Sequence, residues 1–354
     1  MQRGRLQPAH RARSELHLGG ARPHRRRARG GVRPRLGSLG GPAGRHLPAD
    51  QRSNTQAQHR HRLERQGEAG RTEQLSADEA VGGAIVNAAS DSDPRRLFDV
   101  RGRGAVVTGA ASGLGFAIAR VLARNGARVL LVDNTPENLE EALGRLAGEG
   151  LEVRSRVADV RDRAALDAVM GEAASWGGGL DIVFANAGIS SGLGRRFGNG
   201  VGDIDPERWQ AVLDVNLTGL MHTVQAAAAR MNDGAGRIIV TSSVAGLAVD
   251  PLVGYAYSSS KAAVTLFAQN VATELAPRGI NVNVIAPGSF LTAIGATNPG
   301  NTGMIGELTR ATATKRIADP AEIEGLALLL ASPAAGHITG SVFVIDGGVL
   351  ATRN

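Results

Sequence analysis

The chain contains no cysteine, which excludes disulfides, thiolate metal sites and cysteine nucleophiles together. That absence fits a reducing, cytoplasmic setting. Lysine is nearly absent as well. Of 40 Lys and Arg residues, only Lys261 and Lys315 are lysine. A lysine kept against such usage marks a position where a guanidinium does not substitute. No run is suited to crossing a membrane: the uncharged stretch 325–345, about the length of a span, contains Pro333, His337 and several Gly and Ser. It reads as a buried helix, a turn and a strand. The N-terminus lacks the apolar core of a secretory signal. His222 has no second ligand at metal-site spacing, so no metal is expected and His222 reads as a satisfied helix residue.

What is abundant is arginine, and it is unevenly placed. The net charge is +7, yet residues 1–75 alone carry 17 Arg against 5 acidic residues, so the remainder is mildly acidic. The basic balance therefore belongs to a tail and gives the chain as a whole no reason to bind nucleic acid. Few apolar side chains and frequent Gly, Pro and Arg cannot offset ordering entropy, so disorder is expected up to about Pro94. The tail reads as a dispensable or wrongly assigned start, a basic arm touching anionic partners, or a targeting segment. Residues 1–96 are accordingly set apart as an extension and 97–354 as one domain.

Past Pro94 short apolar runs alternate with Ala/Leu-rich helical stretches. Strands are expected at 105–108, 128–132, 153–157, 181–185, 237–241, 281–286 and 342–345. Helices are expected at 113–125, 136–147, 163–176, 206–231, 255–276 and 321–331. Alternating strands and helices make a parallel sheet covered on both faces, and right-handed crossovers wind it twice. The fold class is α/β: a single Rossmann-type doubly wound parallel sheet of about seven strands, with ligands beyond the carboxyl ends of the strands.

The segment Thr108-Gly109-Ala110-Ala111-Ser112-Gly113-Leu114-Gly115 follows the first strand and opens the first helix. Its glycines permit a tight turn and let backbone N–H groups approach a pyrophosphate at the positive end of a helix. The second strand ends in Asp133, whose carboxylate can accept from the adenosine ribose hydroxyls. A 2′-phosphate there, about 4 Å away, would meet a like charge worth about 4 kcal/mol at an effective dielectric of about 20. No Lys or Arg lies inside the turn to compensate. The expected cofactor is NAD rather than NADP.

Tyr257 and Lys261 are four residues apart, one face of a helix. An ammonium beside a phenol favours the phenolate and lowers a pKa that starts near about 10. That would suit a tyrosine to acid/base work near neutral pH.

With these motifs in order, the chain from Leu97 onward resembles the short-chain dehydrogenase/reductase family, of the type with a Thr-Gly-x-x-x-Gly-x-Gly turn and a Tyr-x-x-x-Lys pair. Asp159-Val160 resembles the family's adenine-contacting pair, and Asn186-Ala187-Gly188 its Asn-Ala-Gly turn, with Ala185 where a further Asn is usual. Asn216 matches the helix asparagine and Ser243 the catalytic serine, with Ser242 as the minor alternative. Pro287-Gly288 and Thr292 resemble the segment that contacts nicotinamide, and Asp346-Gly347-Gly348 the terminal signature. Tyr257 follows Ser243 at one residue more than the family spacing, and the extra residue is placed in the Val249-to-Gly254 loop.

The resemblance implies catalytic Asn216, Ser243, Tyr257 and Lys261. It implies a cofactor site of Gly109, Ser112, Gly113, Leu114, Gly115, Asp133, Asp159, Val160, Asn186, Ala187, Gly188, Tyr257, Lys261, Pro287, Gly288 and Thr292. Tyr257 would be the general acid/base and Ser243 would stabilise the oxyanion. Lys261 would tune the phenol and hold the nicotinamide ribose, and Asn216 would position a water linking Lys261 to solvent. The implied reaction interconverts a secondary alcohol and a ketone by hydride transfer; the alternative is a non-catalytic nucleotide-binding or sensor protein. The stripe Val264, Phe267, Val271 and Leu275 is core in a lone domain, whereas family members often pair through that helix, so a homotetramer or homodimer is expected. Specificity is assigned to 190–202 and to a lid from Ser289 to about Lys315, with Gly254 and Tyr255 nearby. The lid's small polar residues, including Gly295, Ala296, Thr297, Asn298, Gly300 and Asn301, point to a small polar alcohol or sugar acid, with ketoacyl-type substrates as the alternative. Phe197 is placed at the pocket mouth, Trp209 in packing, and Arg195-Arg196 in a solvated loop.

Overall fold

The computed structural model describes residues 96–292 and 302–352. The extension, up to residue 95, and the lid residues from Gly295 to Asn301 lie outside the described residues. Seven strands, β1 (Gly104–Thr108), β2 (Arg128–Asp133), β3 (Val153–Val157), β4 (Ile182–Ala185), β5 (Arg237–Thr241), β6 (Asn281–Pro287) and β7 (Val342–Ile345), form one sheet in the order β3-β2-β1-β4-β5-β6-β7. Every pairing is parallel. The order reverses between β1 and β4, and a crevice opens there at the strand ends.

Parallel strands buried on both faces need apolar side chains at every position. Within β1, Val106 packs into one layer while Ala105 and Val107 pack into the other, as the two-residue period demands. Helices α1 (Gly113–Arg124), α2 (Pro136–Ala147) and α8 (Glu324–Ala331) cover one face through Ile118, Leu122, Leu139, Leu146 and Leu330. On the other face α3 (Arg163–Ser175), α5 (Leu220–Ala228) and α6 (Tyr255–Leu275) contribute Leu166, Met170, Val224, Val264 and Ala268. Leu122 and Leu130 are fully buried; truncating either to Ala costs about 2–5 kcal/mol. Asp162 caps α3 by accepting from Ala165 N at 3.1 Å, and Asp205 caps α4 (Pro206–Leu213) by accepting from Glu207 N at 3.0 Å.

Three features differ from the expectations or choose between them. The helix expected over 206–231 is interrupted: α4 and α5 flank a π-helical turn, Asp214–Gly219. Asn216, in that turn, is fully buried and accepts from Ile189 N beyond the β4 end at 2.8 Å; π-turns of this kind often mark functional sites. Within the lid a helix forms that was not among those expected, α7 (Thr302–Ala311). Its Leu308 packs on Leu252 and Ile317, which supplies the apolar face the helix needs. Finally, the α6 stripe faces inward: Val264 and Leu275 are buried, and Phe267 and Val271 pack on the same core. Leu266, 63% exposed, is an aliphatic residue that α6 leaves outward. Among the described residues no helix is long and apolar enough to cross a membrane.

Candidate active site

The glycine-rich turn joins β1 to α1 with positive φ at Gly109 (+67°) and Gly113 (+54°), a region that disfavours other residues. A Cβ on Gly109 would lie 2.9 Å from Ala187 Cα and 3.1 Å from Asn186 Nδ2, so the β4 loop closes directly over the turn. Asn186 holds that closure: Nδ2 donates to Thr108 O at 3.1 Å, and Oδ1 accepts from Thr241 Oγ1 at 3.1 Å. The Thr108 hydroxyl accepts from Asn186 N and Ala187 N at 3.0 and 3.2 Å. Three consecutive strand ends are thereby tied into one floor.

Over this floor lies a cavity of about 310 Å³. Its wall includes Gly109, Ser112, Gly113, Leu114, Gly115, Asp133, Asn186, Ala187, Gly188, Ser243, Tyr257, Lys261, Pro287, Gly288 and Thr292. Asp133 Oδ2 accepts from Ala111 N at 3.2 Å and Oδ1 from Asn134 N at 2.9 Å, fixing the carboxylate at the end of β2. Thr292 leans over the turn, 3.1 Å from where a Gly113 Cβ would stand. Gly288 packs on the terminal signature, since a Cβ there would meet Asp346 Cα at 2.7 Å. Asp346 itself accepts from Gly348 N and Leu350 N, both at 2.8 Å. Asp159 and Val160 do not reach the cavity wall. Arg161 holds the Asp159 carboxylate at 2.6 Å and keeps it below the usual carboxylate range, and Val160 is buried against Gly219.

Successive residues beyond β5 point apart. Ser242 turns to α6, donating to Lys261 O at 2.8 Å and lying 2.7 Å from Thr265 Oγ1. Ser243 acts on the phenol, whose pKa it lowers; its hydroxyl accepts from Ala245 N at 3.2 Å and donates to Pro287 O at 3.5 Å. Lys261 Nζ donates to Thr241 O at 2.8 Å and stands 5.7 Å from the Tyr257 ring centre. The Asn216 amide grips the backbone of Ile189 (Oδ1 to N 2.8 Å, Nδ2 to O 3.0 Å) and donates to Ser260 Oγ at 3.1 Å. Ser260 in turn donates to Tyr257 O at 2.8 Å, so the π-turn, the β4 loop and the tyrosine-bearing turn of α6 form one hydrogen-bonded unit.

The electrostatics differ from the sequence expectation. Burial pushes the Tyr257 phenol above its ordinary value, the Ser243 hydrogen bond pulls it back, and the Asp250 charge adds to the rise. Burial also pushes Lys261 down, to about 8. The ammonium is turned to a backbone carbonyl rather than to the phenol oxygen, so it does not lower Tyr257 in this arrangement.

Several contributors had no sequence signal. Thr241 supplies both the Lys261 acceptor and the Asn186 donor. Ser191 Oγ accepts from Tyr257 N at 3.2 Å and fixes the start of α6. Leu252, Leu308, Ala311 and Val349 also line the cavity. Arg196, expected in a solvated loop, pairs with Glu307 of α7 at 3.1 Å. Phe197 does not line the cavity; Trp209 borders a second one of about 240 Å³. The buried Nδ1 of His222 lacks a hydrogen-bond partner, so that histidine is not the satisfied residue expected.

A family model described as enoyl-(acyl carrier protein) reductase matches residues 109–350. The chain is 36% identical over 254 residues to oxidoreductase UcpA of Salmonella typhimurium, covering 70% of this chain and 94% of that protein. It is 34% identical over 260 residues to 2,3-dihydro-2,3-dihydroxybenzoate dehydrogenase of Bacillus subtilis, covering 70% and 96%. A short-chain type dehydrogenase/reductase from Mycobacterium marinum superposes with a TM-score of 0.66 at 32% identity, over 72% of this chain and 98% of that one. The chain belongs to the short-chain dehydrogenase/reductase family, whose members are oxidoreductases that typically bind a nicotinamide cofactor. The residues present fit such a group: the glycine turn leaves a bare backbone cradle at a helix N-terminus, and Asp133 stands at the β2 end where a ribose would lie.

Proposed function

We propose that this protein is an NAD-dependent oxidoreductase interconverting a secondary alcohol and a ketone. The observation that carries the reading is convergence: Ser243, Tyr257 and Lys261, from β5 and α6, share one cavity wall with the glycine turn and Asp133. When bound, the nicotinamide supplies or accepts the hydride. In reduction Tyr257 donates a proton to the carbonyl oxygen while the Ser243 hydroxyl stabilises the developing charge. In oxidation Tyr257 takes that proton back. A phenol raised by burial is protonated at neutral pH, so it stands ready as donor. Lys261 holds the nicotinamide ribose, and Asn216 keeps the Lys261 and Tyr257 backbone in register. The family model's enoyl description belongs to that model; a hydroxyl pair poised at one oxygen is what carbonyl chemistry needs.

Asp133 supports NAD over NADP. Among the described residues lining the cavity, Lys261 is the sole cation, and it lies at the β5 end. A 2′-phosphate beside Asp133 would meet repulsion without compensation. Asp133→Ala should weaken NAD and narrow its advantage over NADP, read as the ratio of kcat/KM for the two cofactors. Equal use of both by the parent protein would sink the assignment.

A small-molecule alcohol or ketone is the partner, with no role for nucleic acid or membrane, in the cytoplasm. A homodimer or homotetramer through α6 is part of the same reading, supported by the family relation and by outward Leu266; light scattering reads the mass. The rival, a non-catalytic sensor, predicts NAD binding without turnover. A panel of secondary alcohols, polyols and hydroxy acids, followed by NADH absorbance, separates the two.

A further inference from the structure

The second cavity, of about 240 Å³, adjoins the first but takes no part in the reaction. It is lined by the starts of α4 and α6 and by the loop after β4, and Gly192 lines both cavities. The partition between them is paired backbone: Leu193 bridges Val253, and Gly194 N donates to Leu252 O at 3.1 Å. Ser243, Tyr257 and Lys261 line the first cavity and not the second, so an occupant of the second is held without being turned over. Two rings form part of its wall, Trp209 of α4 and Tyr255, the first residue of α6. Among the described residues neither Trp209 Nε1 nor Tyr255 Oη makes a hydrogen bond; Trp209 Nε1 is not a buried atom, and Tyr255 is 38% exposed. Each ring thus offers an apolar face with a polar tip. Charges of both signs stand beside the rings. Asp203 and Asp205 each accept one backbone N–H, from Gly200 at 2.7 Å and Glu207 at 3.0 Å, and Arg208 donates to Ser190 O. All three are exposed. A carboxylate offers about four acceptor positions and a guanidinium five donors, so most are left for water or a ligand.

We propose that this second cavity binds a neutral polyhydroxylated ring, of the sugar or cyclitol kind. The C–H face of such a ring stacks on Trp209 or Tyr255, while its hydroxyls, donors and acceptors at once, pair with the carboxylates and with Arg208. A charged ring fits less well, because an anion meets two carboxylates and a cation meets Arg208. A volume of about 240 Å³ falls below the roughly 300–1,000 Å³ of sites for drug-sized ligands, which suits a single ring. The site stands apart from the alcohol–ketone reading and does not depend on it.

The test titrates the full chain with methyl glucoside, myo-inositol, glucosamine and glucuronate by calorimetry, and follows tryptophan emission, to which only Trp176 and Trp209 contribute. Methyl glucoside and myo-inositol should bind and change the emission. Glucuronate should bind about tenfold more weakly, and glucosamine no more tightly than methyl glucoside. Tyr255→Ala removes one ring at an exposed position and should weaken methyl glucoside about tenfold. Trp209→Phe keeps a ring and deletes the N–H; it should cost about 3- to 10-fold and abolish the emission change. Saturating NAD should leave these affinities as they are. Displacement by NAD, or affinity unmoved in both variants, would place the ring elsewhere and overturn the proposal. Glucosamine bound about tenfold more tightly than methyl glucoside would overturn the neutral class, and no heat from either neutral ring would overturn the site. None of these results bears on NADH formation from alcohols, by which the alcohol–ketone reading stands or falls.

Discussion

Lys261 Nζ donates to Thr241 O at 2.8 Å while standing 5.7 Å from the centre of the Tyr257 ring. The buried ammonium is thus fixed to the end of β5, between the tyrosine and the floor of the cavity. A planar guanidinium does not fit that geometry. Lys261→Arg and Lys261→Met are expected to fold and to bind NAD more weakly. Turnover should fall by about 10²–10⁴, the range of acid/base contributions. Since the ammonium does not lower the Tyr257 phenol in this arrangement, the alkaline limb of any surviving oxidation by Lys261→Met should stay in place while the rate falls. Parent-like rates would make the Tyr-x-x-x-Lys spacing a coincidence.

Ser243 and Ser242 make opposite predictions. The Ser243 hydrogen bond pulls the Tyr257 phenol down against burial. In the parent protein, oxidation should rise with pH as the phenol loses its proton, and reduction should fall. Ser243→Ala removes the downward influence, so the oxidation limb should shift to higher pH, with turnover lower by about 10²–10³. Ser242→Ala breaks a contact with α6 instead; it should lower stability by about 0.5–1.5 kcal/mol and leave the pH profile in place. Rate–pH profiles together with urea unfolding distinguish the two.

The Arg196–Glu307 pair joins the β4 loop to α7, whose Leu308 and Ala311 line the cavity. Arg310 shares the same carboxylate, and both guanidinium groups hold Glu307 below its ordinary range. Arg196→Ala should raise KM for the alcohol by no more than about fivefold, with kcat little changed, because exposed pairs are weak. Salt should reproduce part of that effect in the parent, since the Debye length falls to about 3 Å at 1 M. A fall in kcat of the size seen for Ser243→Ala would place Arg196 nearer the chemistry.

The domain boundary is testable at Leu97. Its carbonyl accepts from Ala334 N at 2.8 Å, and Val100 is fully buried, so the chain is tied into the fold from that point. A protein beginning at Leu97 should keep the thermal midpoint, NAD affinity and turnover of the full chain. Aggregation or loss of NAD binding would move the boundary upstream.

Much of the fold was legible because it rests on local patterns. All seven strands lie within a residue or so of the expected ranges, since short apolar runs, or the alternating Val-Arg-Ser-Arg-Val of edge strand β3, leave little choice. The glycine turn was equally plain: positive φ at Gly109 and Gly113 needs that residue type. The π-turn was not legible, because Ala/Leu-rich sequence around Asn216 continues the helical period smoothly through it. Nor was α7, whose apolar face becomes visible only once Leu252 and Ile317 are beside it.

What the sequence determined by itself was the order of elements, the parallel sheet and the presence of a nucleotide turn, each set by neighbours within a few residues. Which of two adjacent serines faces the phenol was decided in three dimensions. Side chains alternate at the end of a strand, and only the docking of α6 says which side holds Tyr257. The same holds for Lys261 and Asp250. Burial and a backbone carbonyl place the lysine, and the loop before α6 brings the aspartate onto the cavity wall, through contacts that no spacing in the chain encodes.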